Sequence, residues 1–168
     1  MHTKTFRVHA VRPHVLFGGV YGAVLASSMV AALTQDDNTD RSDRLLDLKW
    51  LLTTAVVSAL AHGYSHIIAR QGEQALPGVR QGLRVMLDEW PLLVATLPTA
   101  LLMLGAGLGW WGSEGIEYVV FVVNIVLLFG WGHLAAWAAG HAWRTALTVG
   151  AADALLGVGV VLANALIK

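Results

Sequence analysis

The chain contains no cysteine and few charged residues. Without cysteine it cannot form disulfides, thiolate metal sites or a cysteine nucleophile. Charged residues make up 13% of the chain and hydrophobic residues 56%, whereas an average soluble domain is about 25% charged. A soluble protein of 168 residues would need a polar surface around its core. The composition therefore favours lipid as the surrounding solvent.

An excess of positive charge is also missing, because the formal net charge is zero. Domains that bind nucleic acid carry a basic face, so we expect no nucleic-acid partner. The sequence has no glycine-rich phosphate loop, no nucleophile elbow and no HExxH metalloprotease motif. No enzyme class is indicated by a motif.

Five apolar stretches are long enough to cross a bilayer as helices, which takes about 20 residues each. They lie at about 14–33, 47–69, 92–111, 115–140 and 143–167. Basic residues before the first stretch, followed by apolar ones, resemble a signal peptide. The length of the stretch favours a membrane-spanning helix instead. The sequence predicts an all-α integral membrane protein with a single transmembrane domain over residues 1–168. Short connections make consecutive helices of this five-helix bundle antiparallel neighbours.

The segment between the second and third stretches shows apolar residues at helical spacing. They are Leu76, Val79, Leu83, Met86 and Trp90, with polar residues between them. An amphipathic pattern of this kind is typical of a helix lying in the membrane interface. We expect a short interfacial helix over about residues 76–90.

Lysine and arginine are distributed unevenly between the two sides of the predicted bundle. The side of the N-terminus holds seven of them: Lys4, Arg7, Arg12, Arg70, Arg80, Arg84 and Arg144. Short cytoplasmic segments carry an excess of these residues. The prediction is a multi-pass protein of the cell membrane, with the N-terminus in the cytoplasm and the C-terminus outside.

The second stretch carries a stripe of polar residues along one side. Its members are Asp47, Thr54, Ser58, His62 and His66, mostly four residues apart. Polar groups in a spanning helix face the bundle interior or a water-filled path rather than lipid. We therefore expect this stripe to face inward.

Two further ionisable residues, His133 and Asp153, lie in the fourth and fifth stretches. At 1.5 Å per residue, His62, His66, His133 and Asp153 all fall about 5–10 Å to the cytoplasmic side of the bilayer centre. An ionisable residue at such depth costs about 2.5–3.5 kcal/mol, which favours a functional role. Three histidines and a carboxylate suit zinc or another first-row metal, and the same set suits a proton relay.

The leading hypothesis is a small channel or transporter for protons or metal cations. In it His62, His66, His133 and Asp153 form the site, and Thr54, Ser58 and Asp47 extend the path outward. Three alternatives stay open: an intramembrane metal-dependent lipid hydrolase, a haem protein using His133 and a histidine of the second stretch, and a non-catalytic subunit of a membrane assembly.

Small and polar residues in the other stretches indicate helix contacts. The pairs Gly18/Gly22 and Gly105/Gly109 each place two glycines on one helical face and allow close approach, within a protomer or between protomers. Asn124 suits a hydrogen bond across helices or an outer vestibule. Because five short helices make a thin bundle, we expect a pore to need a homo-oligomer.

Overall fold

A computed structural model describes residues 13–34, 40–70 and 79–167, and every regular element in this part of the chain is an α-helix. The helices are α1 (Pro13–Leu33), α2 (Arg41–Arg70), α3 (Val79–Leu87), α4 (Trp90–Leu108), α5 (Ile116–Ala138) and α6 (Trp143–Ile167). All except α3 are long and apolar enough to cross a membrane, judged by length and composition. The prediction of an all-helical chain with five such helices is confirmed.

The second helix begins earlier than the predicted 47, at Arg41. The backbone N–H groups of Asp43 and Arg44 both donate to the carbonyl of Asp40, at 3.1 and 3.2 Å. The polar residues of this first turn therefore belong to the helix, where Arg44 and Asp47 are buried.

Helix α4 corresponds to the third predicted stretch, 92–111. It ends at Leu108 and not at residue 111. Gly109 adopts a left-handed conformation with φ of 75°, and the N–H of Trp110 donates to the carbonyl of Gly105 at 2.8 Å. This is the helix-ending arrangement that glycine favours. The chain then reverses, and the indole Nε1 of Trp111 donates back to the carbonyl of Leu102 at 3.2 Å.

The predicted interfacial helix is shorter than expected. It spans Val79–Leu87, and a turn at residues 88–89 separates it from α4; residues 76–78 lie outside the described part of the chain. The helix packs on the end of α2, where Met86 lies against Gly63 and Ile67 approaches Gly82. Leu83 and Leu87 are exposed.

Helices α1 and α4 form the centre of the bundle. Helix α2 packs mainly against α4, whereas α5 packs against α1 and α6. Two contacts show how the helices run: Gly18 meets Pro91 at one end, and Gly107 meets Leu45 at the other. We call these the α3 end, where α1, α4 and α6 begin, and the Arg44 end, where α2 and α5 begin.

The two predicted glycine pairs serve different contacts. A Cβ at Gly18 would lie 3.0 Å from the Cβ of Pro91, and one at Gly22 would lie 2.5 Å from the carbonyl oxygen of Leu92. This pair therefore lets α1 approach α4 within one protomer. In the second pair, Gly105 lies beneath the Trp111 ring and Gly109 beneath the Arg41 guanidinium.

A buried hydrogen bond joins α4 to α5, as expected for Asn124. The hydroxyl of Thr99 donates to Oδ1 of Asn124 at 3.1 Å, and both residues are fully buried. We expect Asn124→Ala to lower the free energy of unfolding by about 1 kcal/mol, since a buried intramolecular hydrogen bond contributes about 0.5–1.5 kcal/mol. Unfolding in mixed detergent micelles measures this.

The partner substitution Thr99→Val tests whether the two residues act together. The double variant should lose less than the sum of the single losses, because one bond is removed in each case. Thr148→Val is the matched control, since that hydroxyl is exposed and donates only to the Thr145 carbonyl of its own helix. Additive losses in the double variant would argue against the bond.

Candidate functional site

The polar stripe of α2 lies beside the face that packs on α4. Leu51, Ala55 and Ala59 are buried and belong to clusters shared with α1 and α4. Thr54 and Ser58 are half-buried on the neighbouring ridge. Thr54 of this ridge lies at the junction with α1, whereas His66, at the other end of the stripe, is exposed.

A groove of about 360 Å³ separates α1 from α2 around Thr54. Its lining residues are Tyr21, Val24, Leu25, Ser28, Met29 and Thr54. Because α4 fills the space behind both helices, α1 and α2 touch each other little although they are consecutive. Neither the Ser28 hydroxyl nor the Thr54 hydroxyl makes a hydrogen bond to another described residue.

His62 lies next to Tyr21, a lining residue of the groove, on the side toward the α3 end. Its ring centroid is 5.1 Å from that of Phe17, 5.7 Å from that of Tyr21 and 5.0 Å from that of His66. Its Nε2 atom is buried and has no hydrogen-bond partner among the described residues. An imidazole nitrogen left this way can accept or release a proton when a water or a neighbouring ring reaches it.

The next group toward the α3 end is a contact between a histidine and a carboxylate that the sequence did not predict. Nε2 of His66 lies 3.6 Å from Oε1 of Glu89, in the turn before α4. The His66 side chain is 49% exposed and the Glu89 side chain 10%, so the pair joins the bundle to its surface. Spacing along the chain gave no signal for Glu89, because the turn at residues 88–89 is what returns it to α2.

His133 and Asp153 lie together at a different interface, between α5 and α6. Each occupies space left by a glycine of the other helix: the Cβ of His133 is 3.2 Å from a Cβ built on Gly150, and the Asp153 carboxylate lies against Gly132. Nδ1 of His133 is buried without a hydrogen-bond partner in the described part of the chain.

The predicted single layer of three histidines and an aspartate is therefore divided into two pairs. Helices α1 and α4 lie at the centre, with the α2 pair on one side and the α5–α6 pair on the other. Among residues 13–34, 40–70 and 79–167, no three His, Asp or Glu side chains are placed to hold one metal ion. The four residues were predicted to lie at similar depth along three helices. Depth does not determine the direction in which a side chain points, so similar depth did not bring them together.

Asp47 is engaged in an ion cluster instead of lining an open mouth. Oδ2 of Asp47 lies 3.4 Å from Nη1 of Arg44, and Oε2 of Glu117 lies 3.5 Å from Nη2. The same Nη2 donates to the Ser113 carbonyl at 3.4 Å. This cluster ties the start of α2 to the start of α5, so its first role is structural.

Comparison with known proteins adds no relative. No protein-family model matches the chain, and neither the curated proteins nor the solved structures include a match.

Proposed function

We propose that the chain is a multi-pass protein of the cell membrane that conducts protons along the α1–α2 junction. The five long apolar helices support insertion in a bilayer. With the Lys and Arg counts of the sequence, the α3 end is cytoplasmic and the Arg44 end is outside. Exposed Trp90 and Trp143 lie at the α3 end, and exposed Trp50 and Trp110 at the other, as expected for interfacial tryptophans.

The observation that carries this proposal is the series of neighbouring side chains His62, His66 and Glu89. The two rings are 5.0 Å apart between centroids, and the second ring is 3.6 Å from the carboxylate. Each imidazole has two ring nitrogens, so it can take a proton on one and release a proton from the other. Glu89, whose side chain is largely buried at the α3 end, can receive the proton from His66.

Hydroxyl groups extend this series toward the Arg44 end. Ser58 and Thr54 precede His62 at intervals of one helical turn on the same ridge, and Ser28 faces the same groove. Water held by these hydroxyls would link the histidines to the outer half of the helix. A proton suits this arrangement better than a divalent metal, since no three described His, Asp or Glu side chains are placed to hold one metal ion.

Proton flux in proteoliposomes tests the proposal. Under a potassium diffusion potential, a pH-sensitive dye inside the vesicles reports proton movement. His66→Ala and Glu89→Gln each remove a group that relays protons, so the flux should fall at least about tenfold. His62→Ala should have the same effect.

His141→Ala is the matched control, because His141 lies at the α3 end in the connection between α5 and α6, and its Nδ1 contacts the Ala136 carbonyl. The control should conduct like the original chain, and all variants should elute alike on size exclusion. Full flux in both His66→Ala and Glu89→Gln would rule out the relay.

A further inference from the structure

We propose that Asp153 of α6 and His133 of α5 form a second proton-binding site, in which the Asp153 carboxyl group holds one proton and exchanges it with Nδ1 of His133. The inference uses the bilayer setting of the proposed function and does not use the α1–α2 relay. Both side chains lie within one helical turn at the contact of α5 with α6. The central helices α1 and α4 separate them from the histidines of α2.

Two glycines make room for these side chains between the helices. The carboxyl carbon of Asp153 lies 2.8 Å from a Cβ built on Gly132, and the Cβ of His133 lies 3.2 Å from one built on Gly150. Both polar side chains are half-buried, and Asp153 lies near the middle of α6. The carboxyl group is therefore held against the backbone of α5, far from either end of the bundle.

No basic side chain of the packed helices lies near this carboxyl group. Helices α1, α4 and α5 contain no lysine or arginine between their described ends. Arg144 of α6 precedes Asp153 by nine residues, which is about 14 Å along the helix axis. The other titratable residues of α1 and α5 lie at the helix starts or, for Tyr21, beside the His62 ring: His14, Tyr21, Glu117 and Tyr118.

Without a cation nearby, the neutral acid is the form that suits this position. Hydrocarbon disfavours an unpaired carboxylate far more than a neutral carboxylic acid, and ionisable groups inside membrane-spanning helices need partners. His133 supplies the nearest partner. Its Nδ1 is buried without a hydrogen-bond partner in the described part of the chain, and Phe129 stacks on its ring at 6.0 Å between centroids. A neutral acid can donate a hydrogen bond, and an imidazole nitrogen can accept it.

A hydrophobic carbodiimide tests whether Asp153 carries a proton in the membrane. The reagent takes the proton of a carboxylic acid on its nitrogen and adds the carboxyl oxygen to its central carbon, so an ionised carboxylate does not react in this way. Protein in liposomes is treated with dicyclohexylcarbodiimide, and tandem mass spectrometry assigns the adduct. Labelling of Asp153 should exceed that of the exposed Asp88 at least about tenfold. Asp153→Asn should remove the adduct, and the matched variant Asp88→Asn should keep it.

Infrared spectroscopy of the same liposomes tests the role of His133. The C=O stretching band of a protonated carboxylic acid should be lost in Asp153→Asn and shifted in His133→Leu, because the acid then loses its hydrogen-bond acceptor. His141→Leu is the matched control and should leave the band in place, since His141 lies in the connection between α5 and α6.

Either measurement can overturn the inference. An original chain without an adduct on Asp153, or a band that Asp153→Asn leaves unchanged, would reject the site. A band that does not move in His133→Leu would reject the exchange with His133. The flux of His66→Ala enters neither measurement, so the second site and the relay can fail separately.

Discussion

Replacement of Arg44 by methionine is expected to lower the free energy of unfolding by about 3–5 kcal/mol, the usual loss when one partner of a buried ion pair is removed. The Arg44 side chain is 3% exposed, and those of Asp47 and Glu117 are 11% and 13% exposed. Without the guanidinium, two carboxylates stay buried with no cation between them. Their desolvation is then uncompensated, and the starts of α2 and α5 repel each other.

The measurement is unfolding of purified protein by increasing dodecyl sulfate in mixed micelles, followed by circular dichroism. Arg144→Met is the matched control, because Arg144 is exposed at the start of α6 and should cost less than about 1 kcal/mol. Adding Asp47→Asn and Glu117→Gln to Arg44→Met should restore much of the loss, since both buried charges are then gone. A similar small loss in Arg44→Met and in the control would mean that the cluster contributes little.

The number of helices and their order followed from the sequence because both depend on local composition. Each apolar stretch was long enough to specify a helix by itself, and α6 has the predicted bounds of 143–167. Boundaries that depend on side-chain contacts were less predictable. The first turn of α2 is polar, so the apolar pattern did not include it; in the structure Arg44 of this turn lies buried between two carboxylates, and the Asp40 carbonyl accepts the first backbone bonds.

The part of the candidate site that lies on α2 could be predicted from the sequence, whereas the contacts between helices could not. The α2 stripe could be read from the spacing of His62 and His66, because helical periodicity alone fixes which residues share a face. The positions of His133 and Asp153 depend on which helices are neighbours, and depth in the membrane carries no such information. Glu89 was missed because a turn, and not helical spacing, brings it to His66.

Helix packing is also sensitive to single glycines, and Gly22 is the position where the expected effect is largest. A Cβ there would lie 2.5 Å from the carbonyl oxygen of Leu92 and 2.8 Å from the Cβ of Ala95. The nearest atom belongs to the backbone of α4, so it cannot turn aside as a flexible side chain would. Gly22→Ala should therefore cost about 1–3 kcal/mol, the range for inserting a methyl group into a packed core.

Gly22→Leu should cost more than Gly22→Ala, because the larger side chain forces α1 away from α4 along several turns. Since α1 also forms one wall of the groove, the displacement should reduce proton flux as well. Gly130→Ala is the matched control: a Cβ at Gly130 meets nothing within 4 Å, so the change should be neutral or stabilise the helix by up to about 1 kcal/mol. Gly22→Ala should therefore lower the free energy of unfolding, whereas Gly130→Ala should leave it unchanged or raise it. Unfolding of both variants in detergent measures this difference. If Gly22→Ala were as stable as Gly130→Ala, the close contact of α1 with α4 at Gly22 would contribute little to the stability of the bundle.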